Sequence, residues 1–194
     1  MAIIDIKKLY NNIYSADKFC STFCQCSYDD SNNVYLVDNN TPCINFDEIK
    51  KSVNSSLASA DSLFFSSKTD SCLFIEFKNQ PIRNASLNIG KSAADSLYIH
   101  CRILSDNNCL SSITNNIFVA VLASNKNDSF FNTPVAAMVR RSQISGNPSL
   151  FSFEESKNIS RERMSREYPS FADYYYSSFI PVLSDSFNSF MRSF

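Results

Sequence analysis

The chain has 194 residues, of which 44% are hydrophobic, and its 17 Phe can supply a core of ordinary size, which argues against global disorder. Only 2 Gly are present, and this excludes the glycine-rich phosphate loops of P-loop and dinucleotide-binding proteins. A net charge of −1 argues against a protein that binds nucleic acid nonspecifically by itself, because phosphate neutralisation supplies most of such affinity. It is compatible with a local basic patch or with a partner subunit.

One domain is expected over residues 1–194, with a core at about 34–145 and a C-terminal helical extension at about 150–194. No apolar stretch reaches the ~20 residues of a membrane span, and residues 1–10 lack the apolar core of a secretory signal. We therefore expect a cytoplasmic protein that makes no contact with a membrane, and we expect its 7 Cys to be reduced thiols.

The N-terminal third predicts two helices and one strand. Apolar positions at helical spacing predict a helix over residues 3–24, and the segment 34–38 predicts a short strand. Asn45 or Asp47 can cap a second helix that extends to about residue 59.

Two apolar segments, 61–65 and 72–77, flank the polar break SSKTD and predict a β-hairpin. Side chains alternate along a strand, so Glu76 and Lys78 project from the same face. Opposite charges at the end of a buried strand are costly unless they are paired or bind a metal. Asp61 opens the neighbouring strand, and antiparallel pairing would bring its carboxylate close to Glu76. This end of the hairpin is a plausible site for a hard divalent cation and a phosphate.

After the hairpin, apolar residues at helical spacing predict a long amphipathic helix over 85–104. The following segment, 107–115, predicts a loop. The apolar run 116–124 predicts a strand buried on both faces, and the polar segment 125–132 predicts a turn region. Residues 135–139 predict another strand.

The C-terminal part combines a charged segment with an aromatic one. Residues 154–167 predict a helix with a solvated, mixed-charge face. The aromatic segment 171–194 predicts helices interrupted at Pro181. Its Phe side chains would either cover the core or form an interface with a protein partner or a second copy of the chain.

The pattern of Asp61 followed, after a short hairpin, by Glu76-x-Lys78 resembles the active-site motif of the PD-(D/E)XK nuclease superfamily. The resemblance covers about residues 44–104 and is similar to small bacterial and mobile-element members. It implies the restriction-endonuclease-like α/β fold, which has a mixed central sheet flanked by helices. The family core usually runs helix, three strands, helix, strand, whereas only two strands separate the flanking helices here. The segment 34–38 is the candidate for the third.

The resemblance implies a Mg²⁺- or Mn²⁺-dependent nuclease that hydrolyses phosphodiester bonds, with DNA as the expected substrate. It assigns the metal to Asp61 and Glu76, together with the backbone carbonyl of Phe77, and places Lys78 beside the attacking water. In this family the helix before the hairpin often lends a further acidic ligand. Glu48 is the candidate, and its alternative role is that of a solvated glutamate at a helix start.

Several basic residues are candidates for phosphate contacts. Lys91 lies on the long helix four residues before Asp95, and its alternative role is a surface ion pair. A group of arginines could form a patch that follows the phosphate backbone, although mixed charge of this kind more often forms a solvated face. The arginines of this group are Arg140, Arg141, Arg161, Arg163 and Arg166.

Other readings of the chain remain open. The protein could be a catalytically silent member of the nuclease fold that serves as a structural subunit of a nucleoprotein complex, or an unrelated α/β interaction module in which Glu76 and Lys78 merely pair. His100 is the only histidine, and its place in an amphipathic helix favours a packed core residue over a catalytic one. The spacing Cys20-x3-Cys24-x-Cys26 does not fit a zinc knuckle, so reduced thiols are preferred.

Overall fold

The computed structural model describes residues 3–109, 115–131 and 176–194, which form a mixed α/β fold with helices on both faces of a central sheet. The strands are β1 (Cys20–Thr22), β2 (Tyr28–Asp29), β3 (Val34–Tyr35), β4 (Pro42–Asn45), β5 (Ser62–Ser66), β6 (Ser71–Lys78), β7 (Asn115–Leu122) and β8 (Ser178–Leu183). The helices are α1 (Ile3–Ile13), α2 (Phe23–Cys26), α3 (Phe46–Val53), α4 (Ile82–Asp106), α5 (Ser124–Phe131) and α6 (Phe187–Met191). Single 3₁₀ turns occur at Asp17–Phe19 and Ser184–Ser186.

Six strands form the central sheet in the order β1-β4-β5-β6-β7-β8, and β2 pairs with β3 in a separate two-stranded sheet. Neighbours from β1 to β6 are antiparallel, whereas β6, β7 and β8 are parallel. Parallel neighbours need a long crossover connection, and α4 supplies it between β6 and β7. Strands β6 and β7 lie inside the sheet, and all but one residue of each is buried.

The alternation of side chains along β6 divides the core into two layers. Phe74 packs on one face of the sheet with residues of α1, α3 and α4. Ile75 and Phe77 pack on the other face, where Phe23 of α2 and Phe187 of α6 cover them. Glu76 belongs by alternation to the α4 face, and this orientation sets up the site described below.

Several sequence predictions are confirmed. Residues of the predicted hairpin form β5 and β6 in antiparallel pairing, and the long helix and the apolar strand after it are α4 and β7. Asn45 caps α3 by accepting a hydrogen bond at Oδ1 from the backbone N–H of Glu48. His100 is fully buried and bonded to Tyr10, as expected for a packed core histidine.

The prediction of one helix over residues 3–24 is wrong beyond Ile13. Thr22 starts a new helix, because its hydroxyl accepts the N–H of Gln25 while the Gln25 side chain accepts the N–H of Thr22. The residues just before this cap form β1, which pairs with β4.

The prediction of a strand at 34–38 holds only for Val34–Tyr35. Its expected role as the third strand of the central sheet is wrong, because it pairs with β2 outside that sheet. The third antiparallel strand is instead β4, which pairs with β5 and is separated from it in sequence by α3. That helix is shorter than expected and ends at Val53, with Asn54 as its C-cap.

At the C-terminal side, the predicted turn region 125–132 is largely the helix α5. The prediction of a helix around Pro181 is wrong, because these residues form the strand β8. Among the described strands β8 is at the edge of the sheet, where a residue without an N–H can be accommodated. Phe179 and Phe187 are buried in the core. The predicted strand 135–139 and the charged segment 154–167 lie outside the described residues.

Within the described ranges, no helix combines the length and the apolar character needed to cross a membrane. All seven cysteines are free thiols, and the Sγ atoms of Cys26 and Cys43 lie 3.8 Å apart.

Candidate active site at the end of the hairpin

Asp61 is held at the start of β5 by hydrogen bonds from the segment before it to α4. The backbone N–H of Ala58 donates to Asp95 Oδ2 at 2.8 Å, and the N–H of Ala60 donates to Ser96 Oγ at 2.7 Å. The Asp61 carbonyl accepts the N–H of Phe46 at 3.1 Å. These bonds fix the backbone on both sides of the carboxylate.

The Asp61 carboxylate reaches across to the end of β6, where its Oδ2 accepts the backbone N–H of Phe77 at 2.6 Å. Phe77 stands between Glu76 and Lys78, so the three candidate side chains meet at one edge of the hairpin. The expected convergence of these residues is therefore present in the structure.

Glu76 is almost completely buried, with 1% of its surface exposed. Its Oε1 accepts hydrogen bonds from Lys78 Nζ and, at 3.2 Å, from Ser92 Oγ of α4. Its Oε2 is also buried and has no hydrogen-bond partner among the described residues. A buried carboxylate oxygen without a partner is costly, and in a native structure it often marks a site that binds an ion or water.

Lys78 pairs with Glu76 while 24% of its side chain stays exposed to solvent. Burial alone would lower the pKa of Lys78, but the negative charges of Glu76 and Asp61 outweigh it and raise the pKa above its ordinary value. The amine is therefore a permanent cation near neutral pH.

Burial raises the pKa of both carboxyl groups. In Asp61 the neighbouring charge of Glu76 raises the pKa further, while Lys78 and the Phe77 N–H act in the opposite direction. For Glu76, burial raises the pKa by more than the charge and hydrogen bond of Lys78 lower it. Two carboxyl groups with raised pKa values beside a cation are typical of functional sites.

The Phe77 carbonyl is oriented toward the same edge as the Asp61 carboxylate. The N–H and C=O of one strand residue point to the same neighbour, and the Phe77 N–H points to Asp61. The pairing of β5 with β6 ends at Ser62 and Ile75, so this carbonyl lies beyond the last paired residues. Two carboxylates and a backbone carbonyl are the oxygen donors that Mg²⁺ prefers.

Sequence reasoning considered Asp47 only as a possible helix cap and missed its effect on the candidate site. Asp47 follows the N-cap Asn45 by two residues in the first turn of α3. Its negative charge raises the pKa of Asp61, Glu76 and Lys78, so it acts on all three candidate residues. Its own pKa is lowered, because hydrogen bonds from Ser59 Oγ and Lys50 Nζ outweigh its burial.

Glu48, the acidic residue expected to join the site, instead pairs with Lys51. The sequence correctly indicated that the first turn of α3 supplies an acidic residue. Whether that residue is Asp47 or Glu48 depends on the path of the chain from β4 into α3. The helix thus contributes an acidic charge to the site through Asp47.

A surface cavity of about 420 Å³ opens at this edge of the sheet. Asp61, Phe77 and Lys78 line it on one side, and the segment from Cys26 to Asn32, which includes β2, lines it on the other. The cavity lies at the carboxyl end of β6, which is the edge where ligands bind in open α/β sheets.

The other predicted nucleic-acid contacts are Lys91 and the arginines of the C-terminal part. Lys91 is exposed on α4 next to Ser92, while Asp95 is buried and bonded to Ala58. Arg140, Arg141, Arg161 and Arg163 lie outside the described residues.

Across residues 3–109, 115–131 and 176–194, no group of three or more His, Cys, Asp or Glu side chains is arranged to hold a metal ion. Comparison of the chain with protein-family models, curated proteins and solved structures found no match. Fold and site together define a mixed α/β protein with a charged, partly open cluster of two carboxyl groups and a lysine.

Proposed function

We propose that this protein is a metal-dependent nuclease of the PD-(D/E)XK type that hydrolyses phosphodiester bonds in DNA. The observation that carries the proposal is the cluster itself. Glu76 is buried, and one of its oxygens has no hydrogen-bond partner in the part of the chain that the structure describes. Lys78 is bonded to Glu76, and Asp61 is held beside both at the rim of a cavity.

The order of elements supports the same proposal. A helix, α1, precedes three antiparallel strands, β4 to β6, which are followed by the crossover helix α4 and the parallel strand β7. These elements follow the helix, three strands, helix, strand order expected from the resemblance, with β1, α2, β2 and β3 inserted between α1 and β4 and with α3 inserted between β4 and β5.

The donor set fits Mg²⁺ or Mn²⁺, because the Glu76 Oε2 atom, the Asp61 carboxylate and the Phe77 carbonyl are all hard oxygen ligands. Such an ion, when bound, activates a water molecule and neutralises charge on the phosphate. Asp61 and Glu76 would hold the ion, and Asp47 would add negative charge from the side.

Lys78 would orient the attacking water and stabilise the negative charge that develops on the phosphate. Its raised pKa favours this cationic role over that of a general base. Ser92 would hold the Glu76 carboxylate in position through its hydrogen bond to Oε1. We place this activity in the cytoplasm, with DNA as the partner.

The test is incubation of purified protein with supercoiled, linear duplex and single-stranded DNA in Mg²⁺, Mn²⁺ or EDTA. We expect metal-dependent cleavage that is lost in Lys78→Ala and in Asp61→Ala. Lys68→Ala, at the opposite end of the same hairpin, is the matched control and should cleave normally. Absence of metal-dependent cleavage, or equal cleavage by all variants, would refute the proposal.

The closed ion pair between Lys78 and Glu76 favours a second candidate, a catalytically silent subunit of a nucleoprotein complex. In that case the pair would serve folding alone. DNA or protein binding without cleavage, combined with a large loss of stability in Lys78→Ala, would favour this candidate.

A further inference from the structure

The β2–β3 hairpin carries exposed aromatic side chains beside the candidate active site. Among the described residues five large hydrophobic side chains are exposed, and three of them lie in this hairpin: Tyr28 (38%), Val34 (41%) and Tyr35 (56%). Tyr28 and Tyr35 stand directly opposite each other, with ring centroids 4.7 Å apart. Clustered exposed rings of this kind mark a binding surface more often than scattered ones do.

The hairpin is tied to the strand that carries the candidate catalytic residues. The Asp29 carboxylate accepts the backbone N–H groups of Ser31 and Asn32 and the side-chain amide of Asn32, which orders the loop. It also accepts Asn79 Nδ2 at 2.8 Å, and Asn79 directly follows Lys78. The aromatic pair is therefore held in a defined position relative to the Lys78 amine.

The two rings border two adjoining cavities. Tyr28 lines the cavity of about 420 Å³ that contains Asp61 and Lys78. Tyr35 lines a second cavity of about 480 Å³, whose wall includes Lys126. The two cavities share three lining residues, Asn32, Leu36 and Asn79.

We propose that Tyr28 and Tyr35 form a stacking platform for a nucleobase of single-stranded nucleic acid, next to the phosphate that enters the Asp61–Lys78 cavity. This inference rests on the proposed function and names its substrate class. Aromatic side chains bind successive bases of single strands by stacking, whereas bases inside a duplex are already stacked on one another.

The charges around the two cavities favour a single strand over a duplex. Among the described residues, Lys78 and Lys126 are the lysines that line them, and Asp29, Asp30, Asp61 and Asp185 line them as well. A duplex binder needs many cationic contacts to phosphates. A short single strand gains part of its affinity from base stacking in addition to its phosphate contacts, so it needs fewer cationic contacts for the same affinity.

The test uses fluorescence anisotropy with a fluorescein-labelled oligodeoxynucleotide of mixed sequence in EDTA, so that binding is measured without cleavage. Three further probes are its duplex, a ribonucleotide version and an oligomer of abasic residues, which keeps the phosphates and removes the bases. We expect the single strand of either sugar to bind more tightly than the duplex and the abasic oligomer. Equal binding of the abasic oligomer would overturn the proposal.

Substitutions separate stacking from simple apolar contact. Tyr35→Ala should weaken binding of the single strand by about tenfold, which corresponds to about 1.4 kcal/mol. Tyr35→Phe should bind normally, and Tyr35→Leu should be as weak as Tyr35→Ala because it keeps apolar bulk without an aromatic face. Leu87→Ala removes an exposed side chain from α4 and is the control. Normal binding by Tyr35→Leu would overturn a base-stacking role and indicate that apolar bulk alone supports the contact.

The two proposals fail in different ways. If no variant or wild-type protein cleaves DNA in Mg²⁺ but Tyr35→Ala loses binding in EDTA, the platform stands and the nuclease proposal falls. If wild-type protein cleaves and Tyr35→Ala binds and cleaves like wild type, the platform falls and the nuclease proposal stands.

Discussion

Two buried polar side chains, Glu76 and His100, lie on the α4 side of the sheet. Glu76 contacts Ser92, and His100 lies on the same helix eight residues further on, which is about 12 Å along its axis. His100 Nδ1 shares a 2.7 Å hydrogen bond with the Tyr10 hydroxyl, and its ring packs against Phe74.

The two environments differ in their access to solvent. His100 is enclosed by aromatic rings, and burial lowers its pKa to about 3, so the imidazole stays neutral. Glu76 pairs with a partly exposed lysine that borders a cavity. Burial and a shifted pKa occur in both, so neither property alone identifies a functional site. The open edge and the convergent charges distinguish the Glu76 cluster.

Lys78→Ala should produce the largest effect, a loss of metal-dependent cleavage of at least about 100-fold. The reason is that the cation beside the phosphate is removed while the two carboxyl groups remain. Initial rates of cleavage of single-stranded and plasmid DNA at saturating Mg²⁺ measure it. His100→Gln should cleave within about twofold of wild type. An equal loss in both variants would mean that the comparison between an open and a closed site is mistaken.

The position of this site was predictable because it depends on local rules. Alternation along β6 and a short turn are enough to bring Glu76, Lys78 and Asp61 to one edge. Contributions from distant segments were not predictable in the same way. Asp47 acts on the cluster only because β4 pairs with β5. That strand was not predictable because it begins with Pro42, and local sequence rules assign Pro to the end of a strand.

The C-terminal strand β8 also could not be predicted from local sequence rules. Aromatic residues around Pro181 suit a broken helix as well as a strand, and local propensity does not decide between them. Parallel pairing with β7 decides it, since that partner precedes β8 by more than 50 residues of sequence. The two-stranded β2–β3 sheet was missed in part because each strand has two residues.

His100 should make stability depend on pH. The folded-state pKa of about 3 lies below the ordinary value of about 6.5, so between these values the unfolded chain binds a proton that the folded chain does not. Stability from the neutral imidazole is present above pH 6.5 and is lost as pH falls. The expected loss at pH 5 is about 2 kcal/mol, measured by urea unfolding of wild type against His100→Gln.

His100→Gln is an informative control because the chain has no other histidine. Its free energy of unfolding should lack this pH-dependent component, whatever its value at pH 7. Parallel pH profiles for the two proteins would show that the imidazole is accessible to solvent, and the contrast with Glu76 would then disappear.

Tyr10→Phe should cost about 1 to 2 kcal/mol of folding stability at pH 7, because it leaves His100 Nδ1 buried without its partner. Cleavage should be unchanged, since Tyr10 belongs to the closed environment. Thermal unfolding and the same DNA-cleavage assay together measure both effects. A cleavage defect without a stability loss would place Tyr10 in the functional site instead.

The smallest expected effect concerns two neighbouring acidic residues of α3. Asp47→Asn removes a negative charge that acts on Asp61, Glu76 and Lys78, so the Mg²⁺ concentration for half-maximal cleavage should rise about threefold. The Asn side chain keeps an acceptor for Ser59 Oγ. Glu48→Gln removes the same charge one residue away, from a side chain paired with Lys51, and should leave the Mg²⁺ dependence unchanged. Equal shifts in both variants would mean that the charge of the helix start acts diffusely and that Asp47 has no special relation to the open site.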